Sequence, residues 1–137
     1  MDLGHWTYTE EWPENCFGFI YQITNLNDYK KYIGKKQVVK RIKRAPLKGK
    51  KNKRHILTES DWKTYTGSSN QLNEDIDKLG KDRFSFQILQ ICHSKWELSY
   101  YEAQLQFSVG VLLRDDYYNG IINCRIGKKP LARSTKK

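Results

Sequence analysis

The chain of 137 residues carries 25 Lys and Arg against 15 Asp and Glu, a formal net charge of +10, with 38% hydrophobic and 13% aromatic residues. That is material for one domain with a polar exterior, and no run approaches the roughly 18 apolar residues a membrane span requires. The opening MDLGHW lacks a signal peptide's basic and apolar regions, so a cytoplasmic setting is expected; the odd count of three cysteines, Cys16, Cys92 and Cys124, argues against a disulfide framework, and their spacing, with no CxxC pair and no histidine at ligand distance, argues against structural zinc.

Residues 1–16 form an aromatic, acidic lead-in with Pro13 and no assignable pattern. From Phe17 the sequence alternates: Phe17, Phe19, Tyr21 and Ile23 against Gly18, Ile20 and Gln22, the period of two of a strand. Asn25-Leu26-Asn27-Asp28 supplies turn chemistry, because Asn and Asp tolerate left-handed backbone and cap turns with their side chains. Tyr29 to Gly34 returns, so 17–34 reads as a β-hairpin.

Residues 35–45 are expected to form a basic helix, with Val38, Val39 and Ile42 as its apolar points and Pro46 as its end. A basic insertion of about 43–61 follows, with Lys48 to Arg54 as a flexible loop. Order is expected to resume at Trp62. Ser68 with Gln71 matches a capping box, Leu72, Ile76 and Leu79 fall on one helical face, and Gly80 is placed to stop that helix. Phe84 to Ile91 alternates as a strand. Ser94 with Glu97 is a second capping box, opening a helix with Leu98, Tyr101, Leu105, Val109 and Leu112 on one face. The tail 127–137 is basic, poor in apolar residues and expected to be disordered.

Charge is concentrated rather than mixed. Residues 30–54 hold 13 of the 25 Lys and Arg and no acid, and 125–137 adds six more without an acid. Such blocks point to a polyanion, and nucleic acid is the first candidate because Lys and Arg contacts to phosphate give affinity through counterion release.

Two features could carry chemistry. Glu102 lies at the edge of the inward stripe of the last helix, where a carboxylate is costly unless paired, bound to a cation or set at a cleft. Taken alone, it could equally pair with a lysine. Tyr21 and Tyr32 in the hairpin are, alone, ordinary strand aromatics; a phenol with a pKa near 10 becomes a useful base only if cations or hydrogen bonds stabilise its charged form.

Phe19-Ile20-Tyr21 and Tyr32-Ile33-Gly34, with their tyrosines eleven residues apart, resemble the paired motif that names the GIY-YIG nucleases. The likeness continues through Ser68-Ser69 with Leu72, Gly80, Phe84 and Ile88-Leu89, and extends from about Phe17 to Ile126. It implies an α+β domain over 17–126, with a small three-stranded, mostly antiparallel sheet flanked by helices. It also implies a metal-dependent DNA endonuclease of small phage-borne or homing type. Glu102 would be the metal ligand, for Mg²⁺ or Mn²⁺, with Tyr21 as base or water-orienting group and Tyr32 on the phosphate. Asn119 would position backbone through its amide. Arg41 stands nearest the family's catalytic arginine, with Arg44, Arg54 and Lys36 as substitutes. Lys35, Lys36, Arg44, Lys50, Lys51, Lys53, Arg54, Lys128 and Lys129 would contact double-stranded DNA. The sequence departs from the motif at Phe19, where glycine is usual. The competing readings are a catalytically inactive basic nucleic-acid-binding module and an RNA-associated basic protein.

Overall fold

The computed structural model describes residues 2–130 apart from Lys53 and Cys124. Its centre is an antiparallel sheet of strands β1 (Gly18–Asn25), β2 (Lys31–Gln37) and β5 (Phe84–Cys92), in the order β2-β1-β5. A separate two-stranded ribbon pairs β3 (Val39–Arg44) with β4 (Arg54–Glu59). Helices α1 (Asn70–Leu79) and α2 (Lys95–Val109) complete the α+β fold. None of the described helices is long and apolar enough to cross a membrane.

Alternation along β1 divides the core in two. Phe19, Tyr21 and Ile23 face one side, joining Trp6, Trp62, Leu72, Ile76, Phe86 and Ile88. Ile20 faces the other, joining Ile33, Cys92, Leu98 and Val111. The central strand is thus covered on both faces, α1 and the lead-in on one and α2 on the other, which is why it reads as an almost unbroken apolar run.

The hairpin forms as its pattern predicts, with Asn25 Oδ1 accepting from Asn27 N at 2.9 Å and Asp28 Oδ1 from Lys30 N at 3.0 Å. The left-handed residue, however, is Tyr29 (φ 62°) rather than an Asn or Asp. Both polar side chains are already committed to capping the turn, which leaves the reversal to the next residue.

Three expectations fail. The basic helix over 35–45 is instead the end of β2 followed, after a bend at Val38, by β3. Val38, Val39 and Ile42 are β-branched, and β3 finds in β4 a partner register from Val39↔Glu59 to Arg44↔Arg54. Order therefore returns at Arg54, not at Trp62. The last apolar stripe stops early, because Gly110 (φ 78°) closes α2 and leaves Leu112 exposed beyond it.

The lead-in belongs to the core rather than preceding it. Trp6 is buried, its Nε1 donates to Trp62 O, and Thr7 bridges the outer edge of β5 by accepting from Ile88 N at 2.9 Å and donating to Phe86 O at 2.8 Å. At the helix starts, the cap of α1 is Ser69, accepting from Leu72 N at 3.2 Å, one residue after the expected Ser68. Ser94 caps α2 by accepting from Glu97 N at 3.1 Å, while Glu97 reaches back to His93 N at 3.0 Å. Cys16 and Cys92 are buried free thiols; Cys124 lies outside the described residues.

Candidate active site

β1 and β2 pair with Tyr21 opposite Gly34 and Ile23 opposite Tyr32, so both tyrosines project from the same face, one step apart. Their rings lie 6.2 Å apart. Gly34 makes this possible: a Cβ there would fall 2.5 Å from Tyr21 Oη and 2.9 Å from the Tyr32 ring. Gly67, at φ +85°, closes over the same phenols, 3.2 Å from Tyr32 and 3.3 Å from Tyr21 Oη by the same measure. The final glycine of the second motif is therefore the floor on which the first tyrosine rests. Phe19, where glycine is usual, is wholly buried and packs edge-on against Trp6, Trp12 and Trp62, so the departure serves the core and leaves Tyr21 in place.

The tyrosines open onto a cavity of about 230 Å³ lined also by Lys35, Tyr65, Ser68, Glu102, Gln106, Ile121 and Asn123. Tyr32 and Lys35 stand on opposite faces of β2, so the cavity runs along that strand's outer edge. The edge itself is closed by Asn119, whose Oδ1 accepts from Ile33 N at 3.0 Å and whose Nδ2 donates to Ile33 O at 2.8 Å. One amide thus pairs the strand as a neighbouring strand would, and Gln106 Nε2 adds a second donor to Ile33 O at 2.9 Å. Asn119 is brought to the site as a fixing element one residue from both Tyr32 and Gly34.

Glu102 sits where its periodicity places it, with its side chain 13% exposed. Burial raises its pKa above the ordinary carboxylate value and Lys35, with Nζ 3.8 Å from Oε1, pulls the other way. Lys35 is held by donating to Ser99 Oγ at 3.0 Å. Burial pushes the Tyr21 phenol well above its ordinary value, with Tyr32, Tyr65 and Glu102 adding to the rise. Tyr21 is therefore a neutral phenol at physiological pH. No stabilisation of a phenolate offsets this, because burial dominates and the neighbours that act on Tyr21, namely Tyr32, Tyr65 and Glu102, all raise it further. Tyr32 Oη shares a hydrogen bond of 3.0 Å with Ser68 Oγ.

Other expected residues are not gathered here. Arg41 lies on β3 and lines a different groove, with Phe17, Gln37, Lys40, Leu57 and Lys95. Arg44 and Arg54 stand opposite each other at the far end of the ribbon. Lys36 is spent within the protein, 2.7 Å from Asp61 Oδ1 and 4.2 Å above the Tyr65 ring. Lys50 and Lys51 are exposed in the ribbon's connecting loop, and Lys53 lies outside the described residues. Lys128 is exposed beside Lys129, whose Nζ sits 5.9 Å from the Trp96 ring, so the described start of the tail lies against α2. Arg133, Lys136 and Lys137 lie outside the described residues. Tyr65, Ser68, Gln106 and Asn123 were missed as site residues, and only Gln106 carried a signal, a polar residue one turn after Glu102 on the same face.

A family model described as "Putative endonuclease segE, GIY-YIG domain" matches residues 4–122. The chain belongs to the GIY-YIG nuclease family. Searches of curated proteins and of solved structures return no significant match. Membership implies a nucleic-acid substrate and endonuclease chemistry, and GIY-YIG nucleases generally use a divalent metal. The match begins at residue 4, in agreement with the lead-in being part of the folded unit.

The donor set can be tested against such an ion. Among the described residues no three of His, Cys, Asp and Glu come together, and Glu102 is the one carboxylate among the residues lining the cavity. A hard divalent ion accepts that arrangement, filling its remaining positions with water. The cavity is several times the roughly 30 Å³ share of one water. Gln106 Oε1 is a buried oxygen at its wall with no partner. The residues fit the ion.

Proposed function

We propose that this chain is an endonuclease that hydrolyses phosphodiester bonds of double-stranded DNA, with one Mg²⁺ or Mn²⁺ at Glu102 and, where the cation's waters allow, Gln106 Oε1. The observation that carries this reading is a half-buried carboxylate sharing one cavity with two tyrosines and a lysine. A bound divalent cation supplies positive charge to the phosphate and to the leaving 3′ oxygen.

Tyr21, kept neutral by burial, orients the attacking water: its oxygen accepts one of the water's protons as its own passes to a phosphate oxygen, so no phenolate is required. Tyr32, coupled to Ser68, donates to a second phosphate oxygen. Lys35 is the cation we assign to the scissile phosphate in place of Arg41. It already lies in the cavity beside Glu102, and with a divalent cation held at that carboxylate its ammonium would be available to the phosphate. Asn119 and Gln106 hold Ile33, and with it the strand that carries Tyr32 and Lys35. The basic loop and Lys128 and Lys129 would follow the DNA backbone, contacts that position without specifying sequence.

Incubating supercoiled plasmid with the protein and Mg²⁺ tests this. Nicked or linear product is expected from the wild type, with loss of at least a hundredfold in rate for Glu102→Ala. Intact plasmid with the wild type, or equal nicking by the variant, would refute it, and binding without cleavage would leave the inactive module as the description.

A further inference from the structure

The β3–β4 ribbon is a separate sheet from the three-stranded one, and most of its described side chains are exposed. From Lys40 to Leu57, Ile42 is the one half-buried side chain among those described; the rest are exposed. The two strands carry five Lys and Arg and a single carboxylate, Glu59. Glu59 turns back to Trp62 Nε1 at 2.8 Å and Lys63 at 3.7 Å, and among the described residues none of the five cations meets a carboxylate within 4.0 Å. Arg44 directly opposes Arg54, a like-charge pair that weakens an isolated ribbon and is relieved by a polyanion.

Charge alone would fit backbone tracking. The apolar groups would not. Arg41 lies directly opposite Leu57, and Leu57 is 69% exposed with Val39 as its neighbour on that face. An arginine beside an exposed aliphatic group matches a base-pair edge: a guanidinium takes guanine O6 and N7, and an apolar side chain takes the thymine methyl. Dimensions agree, since two strands about 4.8 Å apart with their side chains fit a major groove about 12 Å wide. The base of the ribbon is pinned, with Val38 N donating to Phe17 O at 2.9 Å and Ser60 N to Val38 O at 2.8 Å. β3 begins two residues after β2, the strand that brings Lys35 to the cavity. A ribbon seated in the groove would therefore set where along the duplex the cavity falls.

We infer that the β3–β4 ribbon enters the major groove of duplex DNA and reads base edges through Arg41 and Leu57. This rests on the proposed function only for its choice of duplex DNA. The test uses the full chain carrying Glu102→Gln, so that binding is read without cleavage. Selection from a randomised duplex pool is expected to enrich a motif, and dimethyl sulfate footprinting is expected to show protection of guanine N7 within it. Adding Arg41→Ala and Leu57→Ala, both at exposed positions, should weaken binding to the selected duplex by roughly five- to a hundredfold and remove the N7 protection, with much less effect on random duplex. Lys50→Gln with Lys51→Gln should instead weaken both duplexes equally and lower the salt slope. A pool that stays random, unprotected N7, equal losses on both duplexes, or equal binding to double-stranded RNA, whose major groove is too narrow to admit a ribbon, would overturn the inference. Footprints without plasmid nicking by the wild type would sink the nuclease reading and leave the ribbon standing; nicking without a footprint would do the reverse.

Discussion

Glu102 is the residue at which the energetics of the fold and the chemistry of the site meet. Burial raises its pKa, so the folded protein holds its proton more tightly than the unfolded chain does. Between the ordinary carboxylate value and the raised one, the native state binds more protons than the unfolded state, and stability falls as pH rises through that window. Glu102→Gln removes the titration. Melting temperatures from pH 4 to 8 should therefore fall less steeply for the variant, which should be the more stable of the two near neutral pH. Mg²⁺ should raise the melting temperature of the wild type near pH 7.5 and leave the variant unmoved, since a ligand that binds only the native state stabilises it. Parallel melting curves with and without Mg²⁺ in both proteins would remove Glu102 as a ligand. Tyr21 shows the same physics with another sign for function: the burial that fixes its ring over Gly34 also withholds the phenolate, leaving a neutral phenol to orient the water and relay its proton.

Among the elements, β2 carries the most consequence for its length. It supplies Tyr32, Gly34 and Lys35, and as an edge strand it would fray without cover. Asn119 supplies that cover through both ends of its amide. Asn119→Ala leaves Ile33 N without its side-chain acceptor and should destabilise the domain by about 1–3 kcal/mol, with cleavage lost beyond what the melting shift explains. Unchanged melting and unchanged activity would show that the edge needs no such clamp. The two hairpin strands, the third strand and both capped helices were readable in advance, because alternation, a capping serine and a terminal glycine act locally. The ribbon was not. A basic segment with apolar residues at 38, 39 and 42 fits a helix as well as a strand until β4, some fifteen residues on, is known to pair with it. The expectation for Arg41 depends on that helix, and β3 carries the residue to a different groove instead.

For the molecule as a whole, the site is an edge phenomenon assembled from distant parts of the chain. Tyr21 and Tyr32 come from one hairpin, Ser68 from the loop before α1, Glu102 and Gln106 from α2, and Asn119 from the segment after it. Spacing within the hairpin could announce the tyrosines, and periodicity could announce Glu102, but Tyr65 and Ser68 owe their place to tertiary packing and left no local mark. Asn25 Nδ2 donates to Tyr118 Oη at 3.1 Å, which donates to Asp75 at 2.7 Å, tying hairpin, C-terminal segment and α1 together around that assembly. On the proposed function the cavity, with Lys35 and Glu102 in it, performs the chemistry, while the basic loop, the tail and the ribbon decide where and how tightly DNA is held. Single-turnover cleavage of a labelled duplex at saturating protein, with affinity measured alongside, separates the two for Lys35→Met and Glu102→Gln. Rates should fall by a hundredfold or more for each variant, with affinity within about tenfold of wild type. Cleavage near the wild-type rate by either variant, or losses that follow affinity alone, would contradict it.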